Sequence, residues 1–239
     1  MTVSGKTVLV TGANRGIGAA LVEEALSRGA VRVYAAARQP VAHPDPRVTP
    51  LRLDVTDAGQ IQHAVEEVRS LDILVNNAGV ARYDDLSDRA VLEEHLAVNL
   101  FGAHAVTQAF LPLLADARGA IVNNLSLNAV APMPLIPSYS ISKAAAFNMT
   151  QSLRALLHGQ VRVHAVLTGP VDTDMSRGLD IPKASAKSVA RAIFDGVDQG
   201  AEEIFPDPMS QSVAPSWHAG VAKELERQYA GLLNTEPAR

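Results

Sequence analysis

The sequence predicts a doubly wound α/β fold, in which helices cover both faces of a parallel sheet of about seven strands. Short apolar runs rich in β-branched residues alternate with helical patterns from one end of the chain to the other. These runs are almost continuously hydrophobic, which is typical of strands buried on both faces of a parallel sheet. Regular strand–helix alternation produces βαβ units, so a single α/β domain spanning residues 1–239 is expected.

The individual elements follow from these patterns. The apolar runs predict strands at 6–11, 31–36, 48–53, 72–76, 120–125, 161–166 and 202–206. Helical patterns lie near 16–28, 57–69, 90–115, 138–158, 185–199 and 218–233. The last residues, NTEPAR at 234–239, are expected to fray.

Composition excludes several classes of protein. The chain is 47% hydrophobic and 19% charged, as globular proteins are. Its net charge of −4 and the lack of a Lys/Arg block argue against a nucleic-acid partner. It contains no cysteine, which excludes disulfides, thiolate nucleophiles and Cys-based zinc sites. The seven histidines show no metal-ligand spacing, so no metal is expected.

No membrane partner is expected either. The N-terminus shows no charged region followed by a long apolar run, so we predict no signal peptide and a cytoplasmic location. The most membrane-like segment, 96–115, is interrupted by Asn99, His104, Thr107 and Gln108, which favours a buried helix.

Two predicted helices are apolar around most of their circumference. They are the 96–115 segment and the alanine-rich segment after Tyr139. Such helices need cover on two sides. The second cover is either a partner subunit, which we favour, or deeper burial within one chain.

A glycine-rich turn, TGANRGIG at 11–18, joins the first strand to the first helix. Gly12, Gly16 and Gly18 allow a tight turn and close approach of a ligand to the backbone. The N–H groups at the start of the helix favour a pyrophosphate. The spacing is G-x-x-x-G-x-G, so the usual dinucleotide fingerprint applies by analogy, and a purely structural turn is the alternative.

The end of the second predicted strand reads AAAR, with Arg38 where an NAD site usually has a carboxylate. A carboxylate would repel a 2′-phosphate, whereas a guanidinium can bind it through charge-assisted hydrogen bonds. Arg15 in the glycine turn could reach the same phosphate. These residues favour NADP over NAD. The alternative is that both arginines face water.

Tyr139 and Lys143 stand four residues apart, so on a helix they project from one face, a single turn apart. Alone, this pair would fit a packed aromatic residue beside a solvated lysine. Ser126 precedes Tyr139 by thirteen residues.

Taken in order, these motifs resemble the short-chain dehydrogenase/reductase family over nearly the whole chain. The order is TGANRGIG at 11–18, LDV at 53–55, NNAG at 76–79, Asn99 in VNLFG, Ser126, and Tyr139-x-x-x-Lys143. The segment TGPVDTDM at 168–175 resembles the family's nicotinamide-flanking segment, except that Thr168 replaces the usual proline.

The resemblance implies a Rossmann-type fold and hydride transfer between a nicotinamide, here NADP(H), and a carbonyl or alcohol. It implies that Tyr139 is the acid/base and that Ser126 polarises the substrate oxygen. Lys143 is expected to lower the Tyr139 pKa, and Asn99 to position a water that links Lys143 to solvent. Subunits of the family often pair through helices, so a homodimer or homotetramer is expected.

The resemblance also implies a cofactor site along the whole crevice. Asp54 and Val55 would lie beside the adenine, and Val171 and Thr173 near the carboxamide. The full set of implied cofactor contacts is Gly12, Asn14, Arg15, Gly16, Ile17, Gly18, Arg38, Asp54, Val55, Asn76, Ala78, Gly79, Tyr139, Lys143, Gly169, Val171 and Thr173.

The substrate is expected to be a small or medium uncharged ketone or aldehyde. The residues expected to line its pocket are mostly apolar: Leu127, Asn128, Val130, Met133, Pro134, Leu135 and Ile136. Trp217 and Met209 either touch this pocket or belong to the core. Two alternatives stay open: an NAD-linked alcohol dehydrogenase, and a non-catalytic NADP-sensing regulatory protein.

Overall fold

The computed structural model describes residues 1–232 and contains a main sheet and a short strand pair. The strands are β1 (Thr7–Thr11), β2 (Arg32–Ala37), β3 (Val48–Arg52), β4 (Ile73–Asn76), β5 (Ala120–Asn124), β6 (Arg162–Val166), β7 (Val171–Asp172), β8 (Ala184–Ser185) and β9 (Glu203–Ile204). Every residue of β1, β4 and β5 is buried, because helices cover both faces of the sheet.

The helices alternate with these strands for most of the chain. They are α1 (Gly16–Ser27), α2 (Ala58–Glu67), α3 (Arg89–Leu96), α4 (Ala103–Asp116), α5 (Pro137–Leu156), α6 (Ala186–Gln199), α7 (Pro208–His218) and α8 (Val221–Gly231). A π-helical segment, Ala97–Gly102, joins α3 to α4.

Capping residues fix where several helices begin. The side chains of Asp57, Asp88, Ser185 and Asp207 accept backbone N–H groups in the first turns of α2, α3, α6 and α7. Helix α5 begins instead with Pro137, whose fixed φ suits a first helical position.

The seven strands of the main sheet are parallel and lie in the order β3-β2-β1-β4-β5-β6-β9. The chain moves outward from β1 to β3, returns to place β4 beside β1, and then moves outward in the opposite direction. A crevice opens at the carboxyl ends of the strands where this order reverses, and such crevices bind ligands in open α/β sheets. The predicted doubly wound α/β fold is confirmed.

The two faces of the sheet form two apolar layers. Successive side chains of a strand point to opposite faces. Val8 and Val10 of β1 therefore pack in the layer that contains Phe194 of α6, whereas Leu9 packs in the layer that contains Phe110 of α4.

All seven predicted strands of the main sheet are present, but the helical predictions need correction in two places. The predicted helix at 90–115 contains the π-helical segment at 97–102. The helix predicted near 218–233 corresponds to α8, but α7 was not predicted, and Ala219 and Gly220 separate the two helices. The prediction that 234–239 fray lies outside the described residues.

The helical segment Arg89–Asp116 is long and apolar enough to cross a membrane, as core helices of soluble proteins can also be. Val106, Phe110 and Leu114 are fully buried, which agrees with the predicted buried helix on that side. Phe101, by contrast, is 61% exposed. The second face of this apolar segment is therefore only partly covered by the described chain.

Candidate active site

Ser126, Tyr139 and Lys143 are brought together at the carboxyl edge of the sheet. Ser126 follows β5, and the other two lie in the first two turns of α5. All three side chains are buried. The Lys143 ammonium lies 5.7 Å from the centre of the Tyr139 ring. The predicted catalytic group is thus a real spatial cluster.

Burial raises the pKa of Tyr139 to about 12, while a hydrogen bond with Ser126 opposes that shift. The net shift of the Tyr139 pKa is therefore upward, opposite to the lowering that was expected. The physical reason is that desolvation of the phenolate outweighs the favourable interactions that stabilise it. At neutral pH the phenol consequently holds its proton.

Burial lowers the pKa of Lys143 to about 8. Its Nζ donates a hydrogen bond of 2.9 Å to the backbone carbonyl of Asn124. Lys143 is therefore an ammonium at neutral pH, but one that loses its charge at a lower pH than an exposed lysine.

The Ser126 hydroxyl both caps a local turn and lies beside Tyr139. It caps a short 3₁₀ turn, Leu127–Ala129, by accepting the backbone N–H of Asn128 at 3.1 Å. It also lies beside the Tyr139 phenol, whose pKa it lowers. The local backbone role and the position beside the tyrosine coexist, because a hydroxyl oxygen can both accept and donate.

Asn99 lies in the π-helical segment, and its side chain hydrogen-bonds to the backbone of the loop after β4. Its Oδ1 accepts the Val80 N–H at 2.9 Å, and its Nδ2 donates to the Val80 carbonyl at 3.0 Å and to the Ser142 hydroxyl at 2.9 Å. Its amide therefore holds the NNAG turn beside α5. The water that Asn99 was expected to position stays a prediction.

A hydrogen-bonded series of side chains crosses the carboxyl edge of four neighbouring strands. The Thr168 hydroxyl donates to Oδ1 of Asn124, Nδ2 of Asn124 donates to Oδ1 of Asn77, and Nδ2 of Asn77 donates to the Thr11 carbonyl, each at 2.9 Å. The series links β6, β5, β4 and β1. Asn77 belongs to the predicted NNAG turn but was not singled out, and sequence reasoning missed Asn124, which lies two residues before Ser126.

Asn76 has a different role from the predicted cofactor contact. Its Nδ2 donates to the Thr107 hydroxyl at 2.9 Å and to Oδ1 of Asn123 at 2.8 Å, inside the layer between the sheet and α4. The Asn76 side chain therefore faces this layer, and the predicted contact of Asn76 with the cofactor stays a prediction. The strand alternation places Asn77, not Asn76, at the glycine turn.

The glycine turn packs directly against the NNAG turn. A Cβ at Gly12 would lie 2.9 Å from the Ala78 Cα, and one at Gly18 would lie 2.1 Å from the Gly12 carbonyl oxygen. Both positions therefore require glycine. Ala78 in turn donates its N–H to the Thr11 hydroxyl at 3.0 Å. The remaining residues of the turn, Asn14, Arg15, Gly16 and Ile17, precede or begin α1.

Arg15 and Arg38 are both exposed near the amino end of α1. The Ala13 N–H donates to the Ala36 carbonyl at 3.0 Å, so the end of β2 lies against the glycine turn, two residues before Arg38. The Arg15 guanidinium lies 3.6 Å from the Asp174 carboxylate. Two cations thus flank the turn, and one of them has an acidic neighbour.

The adenine-side residues Asp54 and Val55 follow β3. Oδ1 of Asp54 accepts the Thr56 N–H at 3.0 Å and the Thr56 hydroxyl at 2.8 Å, which fixes the carboxylate. Val55 is buried against Gly102 in the π-helical segment.

The 169–176 segment, which the resemblance places beside the nicotinamide, is fixed at both ends. The Gly169 N–H donates to Oδ2 of Asp207 at 2.7 Å. Val171 pairs with Ala184 in the β7–β8 ladder. Thr173 caps the short turn that follows, and its methyl group faces Gly16.

Gly79 connects the NNAG turn to the catalytic group. A Cβ added at Gly79 would lie 3.1 Å from Oδ1 of Asn99 and 3.8 Å from the Lys143 Nζ. Only a small residue keeps this approach to the lysine open.

His95 is a further residue that sequence reasoning missed. It is fully buried on α3, and its ring lies edge-on to the Tyr139 ring, with centroids 6.3 Å apart. Its Nδ1 lies 2.7 Å from the Val91 carbonyl, and its Nε2 accepts the Arg82 N–H at 3.1 Å. These two contacts assign the proton to Nδ1. The fixed imidazole thus packs edge-on against the Tyr139 ring and limits its movement.

A cavity of about 230 Å³ lies beside the turn that directly follows Ser126. Of the predicted lining residues, Leu127, Asn128 and Val130 line it, together with Ala131, Phe205, Val213 and Trp217. Met133, Pro134, Leu135 and Ile136 do not line this cavity, and Met209 does not either. Trp217 both lines the cavity and packs on Phe147, with ring centroids 5.2 Å apart.

Comparison with known proteins agrees with this geometry. A family model described as short chain dehydrogenase matches residues 6–183. The short-chain dehydrogenase PC-15 of Penicillium crustosum is 41% identical over 188 residues, which cover 70% of this chain and 66% of that protein. The 11-beta-hydroxysteroid dehydrogenase A of Sesamum indicum is 32% identical over 192 residues, covering 74% of this chain and 55% of that protein. The aligned region thus spans between about half and two thirds of these relatives.

The structural comparison covers more of the chain. The crystal structure of a short chain dehydrogenase from Burkholderia cenocepacia J2315 in complex with NADP superposes with a TM-score of 0.87 at 37% identity. The match covers 95% of this chain and 98% of that one. The sequence match, the sheet order and the Ser126–Tyr139–Lys143 cluster together show that this chain belongs to the short-chain dehydrogenase family.

Proposed function

We propose that the protein is an NADPH-dependent oxidoreductase that reversibly reduces small or medium uncharged ketones and aldehydes to alcohols. The observation that supports this most directly is the convergence of Ser126, Tyr139 and Lys143, all buried, at the crevice where the strand order reverses. Fold alone would not favour catalysis over cofactor sensing. The presence of Ser126, Tyr139 and Lys143 together favours catalysis over cofactor sensing.

The described residues fit a nicotinamide dinucleotide. The glycine turn would hold the pyrophosphate against the N–H groups of α1, and Asp54 and Val55 would border the adenine. The cofactor, when bound, supplies the hydride, and the protein must supply the proton.

Tyr139 has the properties of the proton donor. Its pKa of about 12 keeps the phenol protonated at neutral pH, as an acid in the reducing direction must be. The Ser126 hydroxyl beside it would hold the substrate oxygen by a hydrogen bond. The Lys143 ammonium would stabilise the phenolate as Tyr139 gives up its proton.

NADP is favoured over NAD by charge. Arg38 is exposed next to the glycine turn, and no carboxylate precedes it in AAAR. A solved relative at 37% identity binds NADP. The competing function is an NAD-linked alcohol dehydrogenase, in which Arg38 is only a surface charge.

The test is a comparison of both reduced cofactors against a broad set of uncharged carbonyl compounds, followed by absorbance loss of the dihydronicotinamide. We expect turnover with NADPH to exceed turnover with NADH. Tight NADPH binding without turnover of any carbonyl would favour the regulatory alternative.

The protein is also proposed to act as a homodimer or homotetramer. Phe101, Ile141 and Leu156 are exposed apolar residues on or next to α4 and α5. A second copy that packs on α4 and α5 would cover these exposed side chains. Light scattering at two protein concentrations tests this, and a monomer at both would contradict it.

A further inference from the structure

We infer that the cavity beside Ser126 binds a single aromatic ring attached to the substrate carbonyl, so that the preferred substrates are compact aryl ketones and aryl aldehydes. This inference rests on the proposed function, since it assigns the reacting carbonyl to Ser126 and Tyr139. It concerns the substituent rather than the reacting group.

The position of the cavity follows from the chain itself. Leu127 and Asn128 directly follow Ser126, and the Asn128 N–H donates to the Ser126 hydroxyl. One wall of the cavity is therefore continuous with the residue that would hold the carbonyl oxygen. A substituent on that carbonyl enters the cavity as the oxygen meets Ser126.

The opposite wall is aromatic and held in place. Phe205 and Trp217 line it, and the Trp217 ring is backed by Phe147 at a tilt of 54°. Phe205 is likewise backed edge-on by His218, with ring centroids 5.7 Å apart. Aromatic rings favour offset or edge-to-face contact with another ring, which these two fixed side chains can offer to a ligand.

Helix α7, which contributes Val213 and Trp217, is tied to the cofactor side of the site. Asp207 caps α7 by accepting the Ser210 N–H at 3.0 Å, and the same carboxylate accepts the Gly169 N–H at 2.7 Å. The aromatic wall therefore keeps a fixed distance from the 169–176 segment. Such fixed walls discriminate by ligand size.

The cavity volume of about 230 Å³ determines how large a substituent it can enclose. A benzene molecule binds in an engineered cavity of about 150 Å³. One ring with a short substituent therefore fits inside, whereas most of the four fused rings of a steroid would lie outside the cavity. This separates the chain from the steroid substrates that the name of its sesame relative states.

The lining also disfavours sugars and charged substrates. In the structure of residues 1–232, none of the lining residues is charged, and their polar side-chain groups are the Asn128 amide and the Trp217 indole N–H, which has no hydrogen-bond partner. A polyol placed there would lose hydrogen bonds to water that the cavity cannot replace. An apolar ring has no such loss.

The first test measures binding without catalysis. Trp217 is the only tryptophan of the chain, so all tryptophan fluorescence comes from one residue that lines this cavity. Titration of the NADP⁺-loaded protein with acetophenone, a ketone that the oxidised cofactor cannot reduce, should give a saturable change that sorbitol does not give. Free N-acetyltryptophanamide corrects for collisional quenching. A linear, non-saturable response would overturn the inference.

The second test fills the cavity. Val213→Phe should lower kcat/KM for acetophenone at least tenfold more than kcat/KM for 2-butanone. Val221→Phe makes the same change on exposed α8 and should leave the ratio of the two substrates as in the wild type.

The two failures are distinguishable. If no carbonyl is reduced, the proposed function fails, while the fluorescence titration still decides whether the cavity binds a ring. If carbonyls are reduced but Val213→Phe lowers both substrates equally, or if steroids are preferred to acetophenone, the inference fails alone.

Discussion

The hydroxyl of Thr168 donates a hydrogen bond to Oδ1 of Asn124, with 2.9 Å between the two oxygens. Thr168 stands where the family usually has a proline, which has no hydroxyl to donate. The backbone carbonyl of the same Asn124 accepts the Lys143 ammonium. Thr168 therefore supports the residue that positions the catalytic lysine.

Replacing Thr168 tests this relationship. Thr168→Val keeps the shape but leaves Oδ1 of Asn124 without this donor, which should lower the free energy of unfolding by about 1–3 kcal/mol. Thr168→Ser retains the hydroxyl and should recover most of the loss. Urea unfolding and kcat are the measurements. Equal behaviour of the valine and serine variants would show that the hydroxyl has no role.

The pH dependence of the two directions should differ. The Lys143 ammonium, whose pKa is about 8, is present below that pH and lost above it. Reduction needs this charge to stabilise the phenolate, so kcat/KM for reduction should fall as pH rises through about 8. Oxidation starts from the ionised phenol, so it should increase with pH. Lys143→Arg, which stays charged, should remove the fall in reduction if the variant remains active.

Loss of the phenol should abolish most proton transfer. Tyr139→Phe keeps the ring that packs against His95 but removes the hydroxyl. We expect kcat to fall by about 10²–10⁴, the usual contribution of a general acid. NADPH affinity, followed by fluorescence, serves as the control for folding. Near-normal turnover would remove Tyr139 from the mechanism.

Cofactor selectivity should depend on Arg38. Arg38→Asp places a carboxylate where the 2′-phosphate is expected, so KM for NADPH should rise and the preference should shift toward NADH. Arg32→Asp, a charge reversal at the exposed amino end of the same strand β2, is the matched control. An unchanged ratio of NADPH to NADH activity in Arg38→Asp would contradict the phosphate assignment.

His95 should act as a positioning residue. His95→Phe retains a ring beside Tyr139 but loses both backbone contacts, to Val91 and Arg82. We expect a lower Tm and a reduced kcat with KM for the carbonyl less affected. A variant that melts earlier but shows an unchanged kcat would limit His95 to stability.

The sequence alone allowed the strands and the catalytic residues to be predicted, but for different reasons. The strands are buried on both faces, so their apolar runs stand out from the polar turns around them. Ser126, Tyr139 and Lys143 were predictable because their spacing matches a known family. Helix α7 was missed, although Asp207 followed by Pro208 is a recognisable helix start.

The remaining site features depend on which strands lie side by side. Asn77 and Asn124 are far apart in the chain, and their hydrogen bond exists because β4 and β5 are neighbours. The Tyr139 pKa was predicted with the wrong sign because its burial is set by tertiary packing. Neither feature leaves a local signal in the sequence.

The side-chain series from Thr11 to Thr168 also has a consequence for the order of assembly during folding. Its members come from β1, β4, β5 and the end of β6, so the last donor arrives only when the C-terminal third of the chain docks. An intermediate lacking β6 could already present the phosphate-binding turn. Competence for catalysis would emerge later, in the final docking step, and renaturing protein should regain cofactor affinity before it regains turnover.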